Sequence, residues 1–280
     1  MSAVGVTSSL PTAIGGPPAA PVREVRPAGQ RIPLGRVVRV ELRKMFDTRS
    51  GFWLLASIAI SAVLASVGVV LFAPDSELTY STFALAIRIP MAIILPMIAI
   101  LSVTSEWSQR SGLTTFTLVP HRSRVLLAKG MAAVAVGVAS MVLAFAIGVL
   151  GNLAGTAVAG TSPVWDASLI DIVHGFLGQV LSLLIGFMLG VLIRSSSGAI
   201  VAYFVYSLVL PGVFALLASS QSWFRDLQPW IDVQFAQTPL FEYGGSLASD
   251  QWAQIGVTGL VWMVIPMAIG VRLVLRSEVT

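Results

Sequence analysis

Cysteine is missing from this sequence altogether, and histidine occurs only twice. The first absence excludes disulfides, thiolate metal sites and cysteine nucleophiles. The second leaves His121 and His174 as the whole supply of imidazole bases. Charge is scarce as well: 11% of the 280 residues are charged, where soluble domains carry about 25%. Hydrophobic residues make up 56% of the chain and the mean hydropathy is +0.87, values that identify an integral membrane protein. No G-x-x-x-x-G-K-[ST] run occurs, so nucleotide is not bound through a P-loop. No grouping of His or carboxylates has metal-ligand spacing. The net charge of +4 suggests nucleic acid in a soluble chain, but in a membrane chain it first suggests the orientation of basic loops.

The opening stretch, residues 1–33, mixes Pro, Gly, Ala and Ser without apolar periodicity. It is expected to be a disordered cytosolic tail. It does not read as a secretory signal, because the first apolar run begins only near Phe52. Residues 34–50 carry Leu34, Val37, Val38, Leu42, Met45 and Phe46 at three- and four-residue spacing, with Arg36, Arg39, Arg43, Lys44 and Asp47 opposite. This pattern predicts a basic amphipathic helix lying along the headgroups; the alternative is a solvated helix that merely continues the first span.

From residue 51 to 280 the chain reads as an all-α integral membrane domain. Six segments have the roughly 20 apolar residues that a hydrocarbon core of about 30 Å requires: 53–72, 83–103, 131–151, 172–193, 198–218 and 254–275. An even number places both termini on one side. The tail and amphipathic helix, Arg110, Arg122, Arg124, Lys129, Arg194, Arg272 and Arg276 fall on that side, whereas Arg225 stands alone on the other among eight acids. The basic side is expected to be cytosolic. His121 and His174 then lie on opposite faces, so no nucleophile and base can meet, and no enzyme is expected.

Within the spans, Gly178, Ser182, Gly186 and Gly190 recur every four residues, as do Ser140, Ala144, Gly148 and Asn152. Such stripes predict close helix contacts, within the subunit or across a dimer. The single ionisable residue at membrane depth is Arg88, followed by Pro90 and Pro96. It is either a contact for an anionic substrate group or a side chain that snorkels outward or pairs with an outer acid such as Asp171. Asp171 and His174 share a face at the start of the fourth span, as a polar cluster or as a helix-start carboxylate and an interfacial histidine. No acid lies mid-span, which disfavours an ion-coupled transporter.

The segment 104–130 is polar, basic and broken by Pro120, yet Leu113, Phe116, Leu118 and Val119 give it an apolar side. Apolar knobs with a charged rim suit docking to another protein; a loop that only fixes topology would not need them. The run Glu106, Arg110, Gly112, Leu118, Pro120, Arg122 and Lys129 between the second and third spans, with the helix "VVRVELRKMF" before the first, resembles the ABC-2 type permeases, membrane subunits of ATP-binding cassette exporters of the type V kind. Leu113 stands where a threonine commonly follows the family's glycine. The resemblance implies that residues 34–50 are a connecting helix. It also implies that Glu106, Arg110, Gly112, Leu118, Pro120, Arg122 and Arg124 couple the permease to a pair of separate ATPase subunits. ATP and Mg would be bound by those partners and no cofactor by this chain, with a second permease copy or paralogue completing the exporter in a bacterial cytoplasmic membrane. The outer segment 219–252 is expected to form short interfacial or re-entrant helices that cap an outer cavity through Trp223, Phe224 and Trp230; a plain outer loop with lipid-facing aromatics is the alternative. A path lined by Leu, Val, Ala, Phe and Gly suits an apolar or amphipathic substrate such as a drug, peptide or lipid. A non-transporting membrane scaffold is the competing reading.

Overall fold

The computed structural model describes residues 33–47, 49–108 and 122–276; the tail expected over 1–33 lies almost wholly outside them. Helix α1, Leu34–Asp47, precedes six helices long and apolar enough to cross a membrane. These are α2 (Arg49–Phe72), α3 (Tyr80–Ser108), α4 (Arg122–Ala159), α5 (Leu169–Ile193), α6 (Ser196–Ser220) and, after two short helices, α9 (Ser249–Arg276). The short ones are α7, Ser222–Ile231, and α8, Val233–Gln237, followed by a 3-10 turn over Thr238–Phe241. The protein is an all-helical, multi-pass membrane protein.

Each spanning helix outruns its expected apolar core, because polar residues at its ends continue the backbone ladder beyond hydrocarbon. The difference is largest for α4, whose 38 residues measure about 57 Å at 1.5 Å per residue. The polar stretch 104–130 is accordingly shorter than expected as a loop. Residues 104–108 finish α3 and 122–130 open α4.

Helix α3 is the hub. Its Ile87, Met91, Leu95, Ile98 and Val103 meet Ile58 and Ala62 of α2, Ala133, Met141 and Ala144 of α4, and Leu183, Phe187 and Val191 of α5 in one apolar core. The glycine stripe of α5 makes this contact possible. A Cβ on Gly186 would lie 2.7 Å from the Pro96 carbonyl oxygen, and one on Gly190 would lie 3.2 Å from that of Ile100. The stripe of α4 also faces inward, with Asn152 fully buried and Gly148 against Ile87 and Tyr80. Both stripes therefore serve contacts within the subunit.

Two prolines interrupt α3, and a proline has no N–H to donate to the carbonyl four residues earlier. For Pro96 that carbonyl belongs to Ala92, and the Tyr203 hydroxyl of α6 donates to it at 2.6 Å. Helices α6 and α9 each widen into a π turn near mid-length, over Val205–Val209 and Leu260–Val264. The two turns meet through Tyr206 and Trp262, whose ring centroids are 6.2 Å apart. The segment α7–α8 dips back to this depth: Trp262 Nε1 donates to the Ile231 carbonyl at 2.7 Å, and Gln234 Nε2 to that of Tyr206 at 3.2 Å. Val233 packs beside Ile185 and Met188 of α5. The segment after α6 is thus re-entrant, which accounts for a tryptophan inside the sixth span.

Candidate functional site

At the end of the bundle remote from α1, helices α3, α4 and α5 leave a cleft of about 680 Å³, its open mouth included, lined mostly by apolar atoms. Ala84, Ala144 and Gly175 make room for it, and Met91 and Met141 form part of its lining one turn deeper. The residues Leu240–Tyr243, which follow the re-entrant segment, close one side.

Arg88 and Asp171 both line this cleft, but they do not pair. Asp171 Oδ2 accepts from the Ser168 backbone N–H at 2.9 Å and the Ser168 hydroxyl at 2.6 Å, and Oδ1 accepts from Gly244 N–H at 3.2 Å. The first two bonds, with the return bond from Asp171 N–H to Ser168, form the capping box of α5. The third depends on Gly244 holding φ at +83°, a turn that L side chains rarely adopt. The carboxylate is therefore spent on the start of α5 and on pinning the loop after Tyr243. Arg88 instead lies over the ring of Phe241, its Cζ 4.4 Å from the centroid. Phe241 in turn sits against the bare backbone of Gly178, where any Cβ would collide with its ring. The Nε of Arg88 is buried and finds no hydrogen-bond partner among the described residues.

Tyr243 completes this wall. Burial raises its phenol above the ordinary value, as do the nearby carboxylates of Asp166 and Asp171, with Arg88 opposing; the hydroxyl stays protonated and can donate. His174 lies elsewhere, buried, with its ring edge-on to Trp252 at 5.7 Å. It does not line the cleft. The expected cap is also differently built. Phe224 is buried against Phe214, while Trp223 and Trp230 are exposed, and none of the three lines the cleft. Phe241 and Tyr243 take that place. The signal for them was present in "LFEYGG", two aromatics alternating about an acid before a glycine turn.

At the other end of the bundle, Glu41 interrupts the apolar face of α1 between Val37 and Met45. It is buried, and so is Lys129 of α4; Lys129 Nζ donates to Glu41 at 2.8 Å and to the Ser102 carbonyl of α3 at 3.1 Å. Lys44 reaches the other Glu41 oxygen at 2.9 Å. This clasp joins α1 to the two helices that bracket residues 109–121. The arginines of α1 are exposed, and so is Phe46, a member of the apolar face expected to lie along the headgroups. Sequence reading placed Lys129 in a loop and passed over Glu41, although a lone acid on an apolar stripe is itself a sign of a buried partner.

Of the residues expected to couple to an ATPase, Arg110, Gly112, Leu118 and Pro120 lie outside the described residues. Glu106 belongs to the last turn of α3, Arg122 begins α4, and Arg124 follows on α4 half-buried. Among the described residues no group of three or more His, Asp or Glu side chains could hold a metal ion. What the geometry offers is binding: a largely apolar cleft whose wall holds one cation, Arg88, the phenols of Tyr80 and Tyr243, and the carboxylates of Asp171 and Glu242. No protein-family model matches the sequence, and a search of curated proteins finds no match.

Proposed function

We propose that the chain is the transmembrane permease subunit of an ABC exporter. It would move an apolar or amphipathic compound with ATP hydrolysed by a separate pair of ATPase subunits that hold the nucleotide and Mg. The observation that carries the reading is the Glu41–Lys129 clasp. An amphipathic helix tied by a buried ion pair to the bases of α3 and α4 has the arrangement needed to follow any movement of the segment between them. Under this reading residues 109–121 dock on the ATPase, with Glu106, Arg122 and Arg124 at its edges, and the basic end faces the cytosol of a bacterial cell. The cleft at the opposite end supports the reading, because a scaffold has no need of a charged, largely apolar recess. The exposed apolar faces of α2, α6 and α9 suit lipid or a second permease subunit.

The test is purification of the tagged chain from its native membrane in mild detergent or nanodiscs. A P-loop ATPase recovered in roughly equal amount, with ATP hydrolysis by the complex, supports the exporter. Recovery of the chain alone, or with partners that hydrolyse no ATP, overturns it in favour of a membrane scaffold.

A further inference from the structure

We infer that the cleft between α3, α4 and α5 binds an amphiphile with one anionic head, carboxylate or phosphate, held at Arg88. This assignment names the substrate class of the exporter proposed above and rests on that reading for its role in transport, though not for the binding itself.

Three observations converge. First, Arg88 is a cation about 12 Å along α3 from Tyr80 with no ion pair among the described residues: of the two carboxylates that line the cleft, Asp171 is bonded to Ser168 and Gly244 and Glu242 is exposed and makes no ion pair with it. A guanidinium in a largely apolar recess is stabilised by an anion that brings its own charge. Second, its buried Nε lacks a hydrogen-bond partner, although the Phe241 ring steadies the planar group at 4.4 Å. The group is held in place and has donors to spare. Third, the lining is graded along the bundle. Arg88, Tyr243 and the exposed Glu242 mark the head level, and Met91, Met141 and Ala144 line the part beneath. A compound placed with its anion at Arg88 lays its hydrocarbon toward the middle of the bundle, the attitude of a lipid in the leaflet on that side. A neutral drug would leave Arg88 unmet, and a cation would be repelled by it.

The experiment uses the full chain in nanodiscs of phosphatidylcholine, titrated with the fluorescent fatty acid cis-parinarate and with its methyl ester. The acid is expected to bind saturably and at least roughly tenfold more tightly than the ester, the size of effect that a charge-assisted hydrogen bond gives. Arg88→Gln is expected to bring the acid down to the level of the ester, and a thermal unfolding transition measured on the same discs reports whether the variant is folded. Arg88→Lys should keep most of the preference. Dodecyl phosphate, but not dodecanol, should displace the probe. Discs containing phosphatidylglycerol separate two sources of the anion: displacement there assigns the site to a membrane lipid, and undiminished binding assigns it to a single-chain compound. Equal binding of acid and ester, no saturable binding, or an Arg88→Gln variant that binds the acid like wild type would each overturn the assignment. Because the readout needs no ATPase, its failure leaves the exporter reading standing without this substrate, and the loss of an ATPase partner leaves the binding result standing without transport.

Discussion

The hydroxyl of Tyr203 and the carbonyl of Ala92 lie 2.6 Å apart, joining α6 to the one turn of α3 that Pro96 cannot complete. In hydrocarbon no water replaces the missing donor, so the bond compensates a specific defect. Tyr203→Phe removes the donor and little volume. It is expected to cost about 0.6 kcal/mol and at most about 1.7 kcal/mol, the average and the maximum for side-chain bonds between membrane helices. Reversible unfolding in mixed detergent micelles measures this, and Pro96→Ala in the same background should abolish the penalty by restoring the backbone donor.

Gly186 tests the contact between α5 and α3. A methyl group there meets the backbone of Pro96 at 2.7–2.8 Å, and backbone cannot rotate away. Gly186→Ala is expected to destabilise by about 1–3 kcal/mol, the usual penalty of overpacking. Gly256 on α9 has nothing within 4 Å of a built Cβ, and Gly256→Ala should be neutral or slightly stabilising. Thermal unfolding of the two variants side by side reads the difference.

Removing one member of the buried pair at the base of the bundle takes a buried counter-charge from the other, but Lys44 still reaches Glu41 when Lys129 is lost. Lys129→Met should therefore cost less than the roughly 3–5 kcal/mol of a fully broken buried pair, Glu41→Gln should cost more than Lys129→Met, and the double variant should recover part of the loss. A double-mutant cycle on denaturation in detergent gives the coupling energy. A sum of single effects without coupling would mean that the 2.8 Å contact contributes nothing.

Asp166 makes stability depend on pH. Burial alone would raise its carboxyl, but hydrogen bonds from the Ser81 hydroxyl and backbone N–H, with help from Thr79, outweigh that and hold it below the ordinary carboxylate range. A depressed value in the folded state stabilises fully above the unfolded carboxylate range, about pH 4, and the benefit is lost as pH falls through the folded value. Melting temperature measured from pH 7 down to pH 3 should therefore separate wild type from Asp166→Asn at neutral pH. The gap should close on acidification.

If residues 109–121 dock on an ATPase as proposed, charge reversal at Arg110 and Arg122 should leave membrane insertion and folding intact while lowering substrate-stimulated ATP hydrolysis in the complex. Hydrolysis unchanged in the double variant would remove the coupling role from this segment.

What the sequence revealed of this fold follows the reach of local patterning. Hydropathy located all six spans, since length and apolarity are properties of a single segment, and the amphipathic period located α1. Their ends were missed because helices continue into polar sequence wherever neighbours support them, as Lys129 is supported by Glu41. The glycine stripe predicted close packing but not its partner; only the fold shows that Gly186 meets Pro96 while Gly178 seats Phe241. Arg88 was legible as a charge at depth. Its setting was not, because Phe241 arrives from a segment more than a hundred residues away and Asp171 turns out to be committed to Ser168 and Gly244.

The distance in sequence between Glu41 and Lys129, 88 residues, imposes an order on biogenesis. While the chain is being made, Glu41 emerges together with Lys44, the nearer of the two lysines that reach it, and two spans follow before Lys129 exists. The link from α1 to α4 through Lys129 can therefore close only once the third span has been made, and the short-range pair with Lys44 is the one available to the carboxylate until then.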